Sequence, residues 1–171
     1  PITLYGPGAD SGTFDYFTKT INGKSQASRP DFTASEDDNI LVMGVSGDKN
    51  ALGYFGYAYY RENQAKLKVV PIDGGTGPIT PSEKTINDGS YRPLSRPIFI
   101  YISKLGSKRP EVKAFVRFYL AQASELVKEV GYISLPDKSY QLASDQFEKW
   151  LKGSLISGIS SDMEIKKVAL K

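Results

Sequence analysis

The sequence contains no histidine and no cysteine. These absences remove whole chemistries, because a Ser-His-Asp triad, a cysteine nucleophile, a Cys/His zinc site and a histidine proton shuttle each need a missing residue. The lack of cysteine says little about compartment, since a large enough core needs no disulfides. Charge of one sign is also scarce. Twenty-two basic residues stand against 19 acidic ones, for a formal net charge of +3. They are spread along the chain, so nucleic acid is not an expected partner. The mixed-charge runs at 104–113 and 166–171 read as solvated surface. No stretch approaches the roughly 20 apolar residues needed to span a bilayer. No signal segment is visible either, and the opening Ile2-Thr3-Leu4-Tyr5 reads as a strand of a mature or truncated chain. The remaining carboxylates, lysines and tyrosines nominate no nucleophile with a base, so neither an enzyme nor a cofactor is expected.

What is present is a well-filled interior. Hydrophobic residues make up 40% of the 171, with eleven tyrosines and eight phenylalanines, enough for one domain or two lobes of one module. Strand and helix patterns alternate, which argues for an α/β fold. The first strand ends in Gly6-Pro7-Gly8, and a helix follows with Phe14, Phe17 and Ile21 on one face and Asn22-Gly23 as its stop. A second helix is expected after Ala34, capped by Ser35, with Glu36, Asp37 and Asp38 in its first turn and Gly47 as its stop. Gly53-Tyr54-Phe55-Gly56-Tyr57 reads as a buried strand entering a short helix, residues 68–72 as another strand, and 74–81 as a turn region. Residues 97–103 carry the β-branched and aromatic content of a strand. After Pro110, the stripe Val112, Phe115, Val116, Tyr119, Leu120, Ala123, Val127 and Val130 predicts a long helix stopped by Gly131. A last helix is expected over 139–151.

The chemistry concentrates at Gly6-Pro7-Gly8-Ala9-Asp10-Ser11-Gly12-Thr13-Phe14. Three glycines let backbone approach a ligand closely. The helix start offers unpaired N–H groups and partial positive charge, and Ser11 and Thr13 add hydroxyls, so the segment suits an anion without a formal cation. It is not a Walker A loop, because Gly12 is followed by Thr13 with no lysine between them. It is not a dinucleotide fingerprint, because the third glycine falls one place late. A glycine-rich turn capped by Asp10 or Ser11, holding no ligand, fits the same residues.

The string Asp10-Ser11-Gly12-Thr13-Phe14-Asp15-Tyr16-Phe17 resembles the S-G-T-x-x-x-F phosphate loop of PstS-type periplasmic phosphate-binding proteins, especially their SphX-like branch. Three further blocks are similar in the same order: Thr33-Ala34-Ser35-Glu36-Asp37-Asp38-Asn39, the run from Val45 to Tyr57, and Tyr91-Arg92-Pro93-Leu94-Ser95-Arg96-Pro97. The likeness extends over about residues 2–153 and corresponds to the C-terminal half of such a protein.

The resemblance implies an α/β, periplasmic-binding-protein-like (type II) lobe with an incomplete second lobe. Residues 1–94 would form the ligand-binding lobe with its phosphate loop. Residues 95–153 would supply a crossover strand and helices returning to the other lobe, and 154–171 a C-terminal tail. The implied function is phosphate capture for an ABC-type uptake system. Its partners would be inorganic phosphate, the permease subunits and the N-terminal lobe segment of the same protein. The implied location is the periplasm, or a lipid anchor at the outer face of the cytoplasmic membrane. A relative selective for sulfate or molybdate, or an adhesion or sensory module on the same fold, is the alternative.

Ser11, Gly12 and Thr13 carry over as phosphate ligands through hydroxyl and backbone donors. Many relatives place an arginine six residues before the loop threonine, where this chain has Pro7. Arg29 is the candidate replacement, with a plain surface arginine as the alternative. Asp10 has three readings: acceptor for the proton of a protonated phosphate, orienter of the arginine, or helix N-cap. Arg96 suggests lobe crossover more than ligand contact. Glu36, Asp37 and Asp38 suit a helix start better than a metal site. On this reading the chain alone binds phosphate weakly or not at all.

Overall fold

A computed structural model of the chain describes residues 1–153, so the expected tail over 154–171 lies outside the described residues. Two compact units are present: one formed by Pro1–Ser95 with Gly131–Ile133, the other by Arg96–Val130 and the described residues from Ser134 onward.

In the first unit, strand β1 (Thr3–Pro7) leads into helix α1 (Gly12–Asn22), then β2 (Thr33–Ser35), α2 (Asp38–Gly47) and β3 (Ala51–Gly53). The three strands form a parallel sheet in the order β2-β1-β3, so β1 is central. Parallel strands need crossover connections, and α1 and α2 supply them. At the C-terminal end of the β1–β2 ladder Pro7 pairs with Ser35, and Gly8 N–H donates to the Ser35 carbonyl at 3.3 Å.

Packing explains where the sequence pattern and the observed elements part. On α1 the inward residues are Phe14 and Thr18, one turn apart, while Ile21 is exposed. Thr18 is tolerated inside because its hydroxyl is satisfied: Oγ1 donates to the Phe14 carbonyl at 2.7 Å and accepts from Gln26 N–H at 2.8 Å. Phe17 stacks on Tyr54 with ring centroids 3.8 Å apart. On α2, Leu41 and Val42 are buried, and Gly44 admits the Tyr5 ring where any Cβ would collide with it. A mid-helix glycine costs about 1 kcal/mol in propensity, so the aromatic contact decides this position.

The helix expected after Ala34 starts later than its pattern suggests. Ser35 ends a strand, and the cap is Asp37, whose carboxylate accepts Asn39 N–H at 2.9 Å. The buried strand expected at Gly53–Tyr57 is displaced too. Strand β3 stops at Gly53, the Tyr54 side chain turns onto Phe17, and α3 occupies Tyr57–Glu62. Beyond it, β4 (Ile72–Asp73) and β5 (Pro78–Ile79) form a small antiparallel pair, so only Ile72 of the expected 68–72 strand is extended in a sheet. Helix α4 (Glu83–Asn87) carries a reciprocal Ser82–Thr85 cap. The Tyr16 hydroxyl donates to the Pro93 carbonyl at 2.7 Å, tying α1 to the end of the unit.

The second unit is a pair of packed helices, α5 (Pro110–Glu129) and α6 (Asp137–Leu151), preceded by a 3-10 turn at Gly106–Lys108. Pro110 sits in the first turn of α5, where its missing N–H costs nothing. Val116 and Ala123 face inward on α5, and Ala143 and Phe147 on α6. Arg117 bridges the helices to Glu148 at 2.7 Å and 3.0 Å. The stripe expected on α5 is only partly covered, since Phe115 and Val130 are exposed. Residues 97–103 form no strand: no described strand pairs with them, and a lone extended segment has no ladder to join.

Candidate functional site

The site is built from the C-terminal edge of the parallel sheet, the edge at which open α/β sheets place their ligands. Strand β1 delivers the chain to Gly8, a turn closes as Ser11 N–H donates to the Gly8 carbonyl at 3.1 Å, and α1 begins at Gly12. Ser11 is the N-cap. Its Oγ accepts Thr13 N–H at 3.1 Å, and its carbonyl accepts Asp15 N–H to start the helical ladder. Of the two capping residues the sequence allows, the structure selects Ser11, and Asp10 stands exposed beside it.

An α-helix begins with four N–H groups that lack intrahelical acceptors. Here the turn takes that of Ser11 and the cap takes that of Thr13. The other two, on Gly12 and Phe14, have no acceptor among the described residues, and neither has the Thr13 hydroxyl a partner there. The Ser11 hydroxyl accepts in the cap and keeps its own hydrogen to donate. Two amides and two hydroxyls therefore gather at the positive end of an 11-residue helix. That arrangement can hold an oxyanion through several directional hydrogen bonds.

The predicted residues do not all meet. Ser11, Gly12 and Thr13 are contiguous at the helix start, with Asp10 on its threshold. Arg29 is engaged elsewhere. Its guanidinium grips Asp31 in a two-pronged pair, with Nε to Oδ1 at 2.7 Å and a second contact from NH2 to Oδ2, and its side chain is 70% exposed. That pairing holds the Asp31 carboxyl below its ordinary value and raises Arg29. No hydrogen bond or ion pair joins Arg29 to the loop among the described residues.

Two residues near the loop escape a sequence reading. Tyr54 lies against Gly6, and its hydroxyl is buried with no hydrogen-bond partner among the described residues. Burial pushes that phenol up to about 12. Glu36 follows β2 directly, so the Pro7–Ser35 register sets it beside Gly8; a methyl group on Gly8 would overlap its Oε1. The same oxygen accepts Asp10 N–H at 3.4 Å, near the outer limit for a hydrogen bond. The signal for Glu36 was available in principle, because residues that follow adjacent parallel strands meet at one edge. It was hidden because β2 is only three residues long. Asp37 and Asp38 do serve the start of α2, as cap and first-turn acid.

Residues 1–123 match the family model described as the PBP superfamily domain. The chain belongs to the PBP superfamily. It is 50% identical over 161 residues to a protein named SphX from Synechocystis sp., covering 94% of this chain and 48% of that one. It is 35% identical over 157 residues to a phosphate-binding protein PstS from Staphylococcus haemolyticus, covering 90% of this chain and 48% of that one. Among solved structures it resembles a possible phosphate binding protein from Planctomyces limnophilus, with a TM-score of 0.73, 50% identity, and coverage of 91% of this chain and 54% of that one. These findings bear out the α/β, periplasmic-binding-protein-like fold and the likeness to PstS and SphX. The chain spans about half the length of these PBP-superfamily relatives.

Proposed function

We propose that this chain carries the anion-holding loop of a phosphate-binding component of an ABC-type phosphate uptake system. The observation that carries the proposal is the convergence of the Gly12 and Phe14 N–H groups with the Ser11 and Thr13 hydroxyls at the sheet's ligand edge. A tetrahedral oxyanion presents several acceptors to such a set, and charge-assisted bonds to it are the strong kind. The names of the relatives support phosphate as that oxyanion.

In this reading Ser11, Gly12 and Thr13 are direct ligands, and Asp10 accepts the proton of a protonated phosphate. Arg29 joins the site only by exchanging Asp31 for the anion. The remaining donors come from a lobe segment outside the matched half, and the permease subunits receive the loaded protein. No described helix is long and apolar enough to cross a membrane. The proposed setting is the periplasm, or a lipid anchor at the outer face of the cytoplasmic membrane. The role is capture and delivery, without catalysis.

The test is a chimera in which this chain replaces the matching half of the Synechocystis relative, titrated calorimetrically with phosphate, sulfate and molybdate. Phosphate is expected to bind tightest, and Thr13→Ala to weaken it. A preference for sulfate, or binding indifferent to Thr13→Ala, would overturn the assignment.

A further inference from the structure

The donors of the loop sit in acid surroundings. Asp10 immediately precedes the cap residue Ser11, and Oε1 of Glu36 lies on the Asp10 N–H at 3.4 Å. Backbone pairing brings Glu36 there, since Pro7 pairs with Ser35 and Gly8 N–H donates to the Ser35 carbonyl. Asp37 and Asp38 continue the acid run into α2, and Asp15 lies in the first turn of α1. The Tyr54 phenol beside Gly6 stays neutral, because burial pushes it up to about 12. No basic side chain answers these charges. Arg29 is held by Asp31, and Lys19 stands in the last turn of α1, away from the loop. Among the described residues, no hydrogen bond or ion pair brings a lysine or arginine to residues 6–14 or to Glu36.

Magnitudes decide what such a loop can hold. A helix start carries roughly half a positive charge, while ionised Asp10 and Glu36 bring two full negative ones beside it. Like charges disfavour each other without touching, so every further negative charge on a guest weakens its hold. The amides of Gly12 and Phe14 and the hydroxyls of Ser11 and Thr13 need only acceptor oxygens, which a singly charged guest also has. A guest with hydrogens of its own can in addition donate to Asp10. We infer that the loop selects by charge state: it takes dihydrogen phosphate, the singly charged form, over hydrogen phosphate, and rejects sulfate, which has two charges and no hydrogen. This rests on the anion reading of the loop and names the ionic form it holds. Asp10 acts at the loop itself, and Glu36 acts as a charge behind it.

The second ionisation of phosphate lies close to neutrality, in a window this chain leaves almost empty. It has no histidine, and the Pro1 amine, which titrates there, precedes β1 at the end opposite the loop. Isotope-labelled 171-residue chain is titrated with inorganic phosphate about one pH unit below and about one unit above that ionisation, at constant ionic strength. The Gly12 and Phe14 amide resonances report binding. If the singly charged form alone binds, its share falls from about ten-elevenths to about one-eleventh, and apparent affinity falls about tenfold. The double variant Asp10→Asn, Glu36→Gln is expected to lose less than about threefold over the same interval. It should also admit sulfate, which leaves the wild-type amides unmoved. Dispersed resonances elsewhere in the chain verify that the variant is folded. Wild-type affinity that is level or rises toward higher pH overturns the inference and leaves the anion loop intact. A tenfold fall that survives in the double variant removes these carboxylates as its cause and overturns the inference as well. Gly12 and Phe14 resonances that ignore phosphate at both pH values defeat the anion reading itself, and this inference with it.

Discussion

Phe14 on α1 and Phe115 on α5 hold similar places in their sequence patterns, each an aromatic near the start of a helix's apolar stripe. Phe14 is 5% exposed and Phe115 60%. In the first unit, α1 and α2 pack on a central strand, so Phe14, Leu41 and Val42 are covered from within the unit. In the second unit, among the described residues, α5 packs on α6 and on the 3-10 turn at Gly106–Lys108, with no sheet beneath them. Val116, Ala123, Ala143 and Phe147 are buried, while Phe118 and Leu142 remain open. Periodicity reports which side of a helix is apolar. It does not report what covers that side.

This contrast is easiest to break by truncating side chains. Leu41→Ala in the first unit is expected to lower stability by about 2–5 kcal/mol, the range for a fully buried leucine. Phe115→Ala in the second should stay within about 0.5 kcal/mol of wild type, as for exposed sites. Chemical denaturation of both variants measures the difference, and comparable losses would mean that α5 is covered in solution.

A smaller effect probes how closely α2 approaches the sheet. Gly44→Ala should gain helix propensity, yet the added methyl group meets the Tyr5 ring. Overpacking of this kind costs about 1–3 kcal/mol, so the variant should melt lower than wild type. A higher melting temperature would show that propensity decides the position.

Within the first unit, two neighbouring hydroxyls separate structure from ligand. Ser11→Ala removes the α1 cap and should cost about 1 kcal/mol of stability. Thr13→Ala touches no described hydrogen bond of its side chain and should leave the melting temperature nearly unchanged. It should nonetheless weaken phosphate binding about tenfold or more, as expected when a bond to a charged group is lost. Melting curves and calorimetry on the same samples separate the two roles.

The smallest expected effect is a pH slope. Burial raises the Asp38 carboxyl above its ordinary 3.8, with the Asp37 and Glu36 charges adding to the rise and the Gly56 N–H opposing it. The folded chain therefore keeps this proton to higher pH than the unfolded chain does. Stability contributed at this residue falls as pH rises through the ordinary carboxylate range to the raised value, and is flat beyond it. Asp38→Asn should remove that slope while retaining an acceptor for Gly56. Melts from about pH 4 to about pH 7 check it, and an undiminished slope would assign it to another group.

Much of the first unit is legible in its sequence. The glycine-rich bend between a strand and a helix, the helix start at Gly12 and the stop after Asn22 all follow from local chemistry. Long helices with strong end signals, such as α5 behind Pro110, are equally legible. Short strands are not. Thr33–Ser35 carries no alternation long enough to notice, so Ser35 reads as a cap when it ends a strand. The candidate site divides the same way. Ser11, Gly12 and Thr13 are neighbours in sequence and fall together. Glu36 reaches the loop only through strand pairing, and Arg29 is drawn off by Asp31, two residues away. Contacts made through a sheet register are invisible to a reading that runs along the chain.

Anomalous diffraction from crystals soaked in arsenate, a heavier tetrahedral stand-in for phosphate, tests the loop most directly. An arsenic peak within hydrogen-bonding reach of the Gly12 and Phe14 amides and the Thr13 hydroxyl is the predicted result. Well-ordered arsenic elsewhere on the chain, with none at the start of α1, would contradict it.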